Sequence, residues 1–479
     1  LASGTWAKFS LSSDGIYKID YNLLRQAGIN PDNIDPRNLQ LYTGHVGMLP
    51  QANGAARISD VQQMAIQVTG EADGRFNPGD AIFFLGLGPD KVEYVPSAQM
   101  YRYTNHLYDD ANFVYLTVGN QPGKRIGLTT SPAGSFSVVT TFEDVAFYET
   151  EQYNILKSGR QWFGEQFDTS PEITIRFDVP GIIENSALRF ASHVMAQTFA
   201  ESSFDVFWNG VSIGNQRITP VPNTQYGLKG RVRIDTVAVQ TTAVNAATRT
   251  TQEIRYRYTK APGFSIGYLD FFSFTIQRRL ALYGQYTFFQ SAGSTQNSIS
   301  TFQLGGADAT TQIWDITNPF DIARHETTFQ NGSAAFSTTT ASLKRFVAFS
   351  PQRAASPVFV QRVENQNLRA TAVPQLVIVT HPDFLPEANR LAAHRRSFHG
   401  LDVLVVTTQQ VYNEFSGGKR DVTALRDFFR TLYLRSNRLE NVLLIGRGTY
   451  DYKNRITTNS TFVPIYQSRN SLSPLETYS

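Results

Sequence analysis

The chain has 479 residues, more than a single hydrophobic core holds, and that length predicts about three domains. Its 41% hydrophobic and 17% charged residues are the composition of folded protein, and a net charge of only +3 excludes an electrostatic case for nucleic acid or a polybasic membrane contact. Cysteine is absent, which excludes disulfides, thiolate metal sites and a cysteine nucleophile within these residues.

Residues 1–150 read as a mainly-β module. Alternating runs Trp6–Leu11 and Gly15–Asp20 flank Ser12-Ser13-Asp14-Gly15, and Asp-Gly between alternating runs predicts a hairpin. A short helix over Tyr21–Ala27 stops at Gly28, and strands follow at Leu39–Tyr42, Met64–Thr69, Ala81–Leu85, Phe113–Val118 and Ser137–Thr141. Residues 151–290 read as a β-sandwich, with Asn209-Gly210 a two-residue hairpin turn after Ser203–Trp208 and clean alternation in Phe272–Ile276. Residues 291–372 are poorer in pattern. Phe302–Leu304, Gln312–Asp315 and Phe346–Phe349 predict a small β-subdomain or linker, and Trp314-Asp315-Ile316-Thr317-Asn318-Pro319 a strand ending in an Asx/Pro turn.

The pattern changes in residues 373–479. Apolar runs Gln375–Thr380, Asp402–Thr407 and Asn441–Gly446 alternate with stretches of helical period, which predicts βαβ units and a parallel sheet. Near-continuous apolar runs fit strands covered on both faces. Asp383 is placed to cap a helix carrying Ala388, Leu391, Ala392 and Phe398 on one face and stopping at Gly400. Asp421 is placed to cap Val422–Arg435, with Leu425, Phe428, Phe429, Leu432 and Tyr433 facing the sheet. The fold class is therefore multi-domain: mainly-β modules, one a β-sandwich, followed by part of an α/β parallel-sheet domain.

Ligands of such sheets sit outside the carboxyl ends of the strands. That directs attention to His381 and Asp383 after the first run, and to Arg447, Tyr450 and Asp451 after the third, as candidates for lining a substrate cleft. Other motifs are weaker. Ser416-Gly417-Gly418-Lys419 is half a phosphate loop, with Asn413 in place of the earlier Gly and Arg420 in place of Ser/Thr, so a flexible loop before a helix is the better reading. Gly446-Arg447-Gly448 lacks the third glycine of a dinucleotide fingerprint. His394 and His399 fall on different helix faces and make poor metal ligands. No Gly-x-Ser-x-Gly elbow follows a strand, and Asn331 and Asn459 open glycosylation-type triplets for which a turn suffices.

Trp6-Ala7-Lys8-Phe9, Gly15–Ile19, Ile34–Tyr42, Phe76–Asp80 and Trp314–Pro319 resemble the PorU-type sortases of the type IX secretion system. Thr380-His381-Pro382, Val442–Gly446 and Thr449-Tyr450-Asp451 are similar to the first half of a gingipain-type cysteine peptidase domain. The resemblance implies a caspase-like fold with a His–Cys dyad, whose cysteine attacks a peptide carbonyl. Members remove C-terminal signal domains from exported proteins and transfer the new carboxyl ends to anionic lipopolysaccharide. They act on the outer face of the bacterial outer membrane, at the cell surface, with a β-barrel partner of PorV type. In the family His-Gly and Cys follow later strands, so both are expected after Ser479 and no catalytic residue is carried onto this chain. His399-Gly400 sits at a helix end, and Arg447 stands where relatives often have an acidic residue. Calcium occurs in such domains, but no ligand set is assigned here. The alternative is a non-enzymatic surface adhesin or carbohydrate-binding protein, with the sandwich as its binding module.

Overall fold

The computed structural model describes residues 1–456 and 460–477, so Asn459 falls outside it. The N-terminal module is built on a five-stranded antiparallel sheet in the order Val358–Val363, Trp6–Leu11, Asn112–Val118, Leu39–Thr43 and Gln62–Met64. A three-stranded sheet of Gly15–Asp20, Ala81–Gly86 and Gln67–Val68 packs with it around Phe9, Ile19, Leu41 and Phe84. The Asp14-Gly15 hairpin does not form. Trp6–Leu11 pairs with Val358–Val363 and Asn112–Val118, while Gly15–Asp20 pairs with Ala81–Gly86 in the other sheet. Asp14 serves as a staple instead: its carboxylate accepts from the Gly88 amide at 2.8 Å and lies 3.6 Å from Arg345.

Two β-sandwiches follow. In the first, Thr141–Glu149, Ser265–Arg279, Ala187–Thr198 and Arg231–Gln240 face a four-stranded sheet of Glu172–Asp178, Thr251–Thr259, Ser202–Trp208 and Val211–Ile218. Inward-facing Phe190, Trp208, Tyr256 and Phe272 fill the space between, as alternation requires. Asn209 (φ 48°) and Gly210 (φ 85°) turn Trp208 onto Val211, both in the left-handed region that a type I′ hairpin needs. The second sandwich encloses Phe302, Ile313, Phe336 and Phe346 between two sheets. It borrows Gly127–Thr129 and Ser137–Val139 from far upstream, each as a parallel edge strand. The single strand expected over Ser137–Thr141 is thus divided, its first part entering the second sandwich and Thr141–Glu149 the first. The Trp314–Pro319 segment is a strand closed by Asx turns, Asp315 accepting from the Thr317 amide and Asn318 from that of Phe320.

Parallel strands Val403–Thr407, Leu376–Thr380 and Asn441–Ile445 form a three-stranded sheet in that order. Val377, Val379 and Val406 face helices Thr408–Phe415 and Val422–Arg435, while Leu376, Ile378 and Val403 face Ala388 and Ala392 of helix Leu385–His399. Both faces of the central strand are therefore covered. Asp421 caps its helix through the Thr423 amide, and Gly400 ends the other helix at φ 66°. Three expectations fail locally. Phe398 and Tyr433, expected on the sheet side, are 74% and 61% exposed: Phe398 lies in the last turn of its helix, past its last buried residue Ala392, and Tyr433 stands one residue beyond buried Leu432. Asp383 does not cap; the His381 side chain accepts from the Asp383 amide and opens the turn.

The Ser416–Lys419 loop is neither flexible nor a phosphate cradle. It is buried where the α/β unit docks on the N-terminal sheet, with Gly417 so close to Gly44 that a side-chain carbon on either would lie 2.5 Å from the other's Cα. Lys419 Nζ donates to His45 O at 2.7 Å and Asn112 Oδ1 at 2.9 Å, and Lys8 Nζ donates to Gly418 O at 3.2 Å and Asn413 Oδ1 at 3.3 Å. Burial disfavours the charged ammonium and pulls Lys8 down to about 7 and Lys419 to about 8.

Candidate functional site

A cleft of about 200 Å³ opens at the carboxyl ends of the parallel strands. His381, directly after the central strand, stands on one side, and Thr408 and Gln409, after the second strand, on another. Tyr412, Tyr452 and Phe462 supply aromatic wall, Arg420 a cation, and Tyr108 reaches in from the N-terminal module. Larger cavities, one of about 510 Å³ beside Glu143 and Arg189 and one of about 410 Å³ between Arg57 and helix Val422–Arg435, lie away from the strand ends. Topology favours the smaller cleft, since strand ends are where a parallel sheet presents loops without blocking them by its own backbone pairing.

Of the five sequence candidates, His381 lines this cleft and the other four are not among its lining residues. The His381 ring meets the Phe462 ring edge-on at 5.0 Å, and its Nδ1 accepts from the Asp383 amide at 3.3 Å, fixing the ring over the strand end. The Asp383 carboxylate lies 3.4 Å from the same nitrogen and points to solvent. The Arg447 guanidinium sits 5.8 Å from the Phe462 ring centre, and its carbonyl accepts from the Phe462 and Val463 amides, so Arg447 shapes the wall from behind. Tyr450 faces away and stacks on Trp162 of the first sandwich at 5.7 Å. Asp451 is fully buried and spent on its own loop, its carboxylate accepting from the Arg455 amide at 2.9 Å and the Ile456 amide at 2.7 Å.

Sequence reasoning missed the residues that give the cleft its character. Tyr412 stands on the unforeseen helix Thr408–Phe415, whose signal was present: Thr407 and Gln410 form a reciprocal capping box, with the Thr407 hydroxyl accepting from the Gln410 amide at 3.2 Å. Tyr108 and Tyr452 pack ring to ring at 4.5 Å. Burial pushes the Tyr108 phenol up to about 12, and the Tyr452 and Tyr412 phenols up as well, so all three present neutral hydroxyls. The arrangement can bind and orient a chain of mixed polarity. Among the described residues it holds no nucleophile–base pair, and no group of three or more His, Asp or Glu converges as a metal site.

Residues 369–478 match the model of peptidase family C25. Among solved structures, dimeric latent PorU from Porphyromonas gingivalis superimposes with a TM-score of 0.83 at 22% sequence identity over 98% of this chain. The match covers 45% of that PorU chain, so this chain spans less than half its length. A carbohydrate-binding module, CBM36, solved with calcium and xylotriose, matches 28% of this chain and 99% of its own at 16% identity, but a TM-score of 0.16 carries no argument. No curated protein matches the sequence. No helix among the described residues is long and apolar enough to cross a membrane. The chain thus has the fold of the PorU structure over nearly its whole length, and its residues 369–478 match the model of peptidase family C25.

Proposed function

We propose that this chain is the N-terminal part of a cell-surface cysteine endopeptidase and transpeptidase. In this reading the parent enzyme removes C-terminal signal domains from exported proteins and joins the new carboxyl ends to anionic lipopolysaccharide. It works on the outer face of the outer membrane with a β-barrel partner of PorV type. The observation that carries the reading is the coincidence of the family C25 match with a parallel sheet whose strand ends open on a cleft.

Thiolate attack on a peptide carbonyl needs a cysteine, a positioned histidine base and backbone donors for the oxyanion. This chain has no cysteine, so its share of the work is binding. His381 and Phe462 form one wall, Tyr108 and Tyr452 another, and Arg420 offers charge to a carbonyl or carboxylate of the bound chain. The gene supplies a direct test. Downstream of Ser479 the reading requires a strand followed by His-Gly and a further strand followed by Cys. The purified parent should then cleave a signal-domain fusion and lose that activity when the cysteine is changed to alanine. A frame without the cysteine, or cleavage indifferent to its loss, overturns the proposal.

A further inference from the structure

The Tyr450–Arg455 loop forms part of the cleft wall, is tied within its own domain through Asp451, Asn454 and Thr461, and is anchored besides to the modules behind it. Tyr452 and Asn454 line the cleft. The residues between and beside them turn the other way. Tyr450 stacks on Trp162, and the Arg455 guanidinium lies 5.1 Å from the same indole ring while pairing with Glu151. Lys453, almost buried, reaches Asp110 at 2.8 Å and Asn105 Oδ1 at 3.2 Å, with Glu151 at 3.9 Å. The chain that follows is bound to the same stretch of the sandwich: the Arg160 amide donates to Ser468 O at 3.1 Å and the Gln161 amide to Ser471 Oγ at 2.7 Å.

Internal hydrogen bonds give this loop its shape, and the aromatic and charged contacts on its back set its place against the body behind it. We propose that Glu151 and Trp162 of the first sandwich, with Asp110 of the N-terminal module, are positioning residues that fix the Tyr450–Arg455 wall of the cleft. The first sandwich thereby acts as a brace for the α/β unit. Its importance for turnover rests on the peptidase reading above; the bracing itself does not.

Hydrogen exchange on the full chain, read by mass spectrometry, tests it. The amides of Asp451, Arg455 and Ile456 are hydrogen-bonded within the loop, so their exchange reports its opening. Glu151→Gln should speed exchange over residues 449–456 about tenfold. Glu172→Gln, which removes the partner of Arg255 and Arg257 elsewhere on the same sandwich, should leave it unchanged. Arg455→Lys, which keeps the charge and loses the planar contact with Trp162, should act in the same direction and serves if Glu151→Gln does not fold. Unchanged exchange over 449–456, or acceleration spread equally through Ala187–Thr198 and Ser265–Arg279, overturns the proposal. In the parent enzyme Glu151→Gln should raise KM for a peptide more than it lowers kcat, with rescue by Glu151→Asp. A parent without peptidase activity would end the functional reading and leave the exchange result standing.

Discussion

Two regions of this molecule solve the same problem differently. In the first sandwich, Phe190, Trp208, Tyr256 and Phe272 are closed between two sheets of the same stretch of chain, and that core is complete in itself. In the α/β unit the strand Asn441–Ile445 has the apolar composition of a strand covered on both faces, yet Val442, Leu443 and Leu444 are 42%, 36% and 43% exposed. The α/β unit also leans on its neighbours: Leu49 of the N-terminal module enters its core, and Lys8, Gly44 and Asn112 hold its Ser416–Lys419 loop. Alternation thus marks strands that close a two-sheet core, while a continuous apolar run marks a strand needing cover on both faces, which Leu376–Thr380 has and Asn441–Ile445 lacks among the described residues.

The contrast breaks most sharply at Trp208. Trp208→Ala should cost about 3–5 kcal/mol, measured by urea denaturation, because the void opens in a self-contained core and leaves the Gln252 amide oxygen without the indole donor. A loss under about 1 kcal/mol would show that the sandwich is not independently close-packed. Next is Gly417→Ala. At φ 64° and against the Gly44 backbone, the added carbon should destabilise docking by about 2–3 kcal/mol and expose Arg369–Asn441 to limited proteolysis while the sandwich stays intact.

The same docking surface makes a prediction for pH. The folded-state pKa of Lys8 lies below its unfolded value, so the unfolded chain binds more protons between about pH 7 and 10, and stability rises with pH across that window. Wild type should gain on the order of 2 kcal/mol over Lys8→Met between pH 7 and pH 9. Thermal melts that run parallel for the two proteins would refute this. The smallest effect belongs to the open edge. Leu443→Lys should change stability by no more than about 0.5 kcal/mol but reduce self-association in light scattering, since it places charge on an apolar unpaired edge.

Legibility followed range along the chain. Strand runs, the Asn209-Gly210 turn, the Asp421 cap and the parallel sheet were readable because each rests on contacts a few residues apart or on a period. Ser12–Gly15 misled because a local turn signal was outcompeted by pairing with Val358–Val363 and Ala81–Gly86, which no window around it contains. The second sandwich looked poor in pattern because two of its edge strands are borrowed from residues 127–139. For the cleft, strand ends pointed to His381 and to the loop after the third strand, from which Tyr452 and Asn454 line it. They could not show that Tyr450 and Asp451 turn inward to the scaffold, nor that Tyr108 arrives from another module.

The Trp6–Leu11 strand has one of its two neighbours in Val358–Val363. On the ribosome, Trp6–Leu11 therefore waits for Val358–Val363 before its sheet can be completed, and both sandwiches are synthesised in the interval. Such a sequence separation makes for slow closure and a long-lived unpaired strand. A chaperone that shields Trp6–Leu11 during that wait would suit this architecture better than rapid local folding.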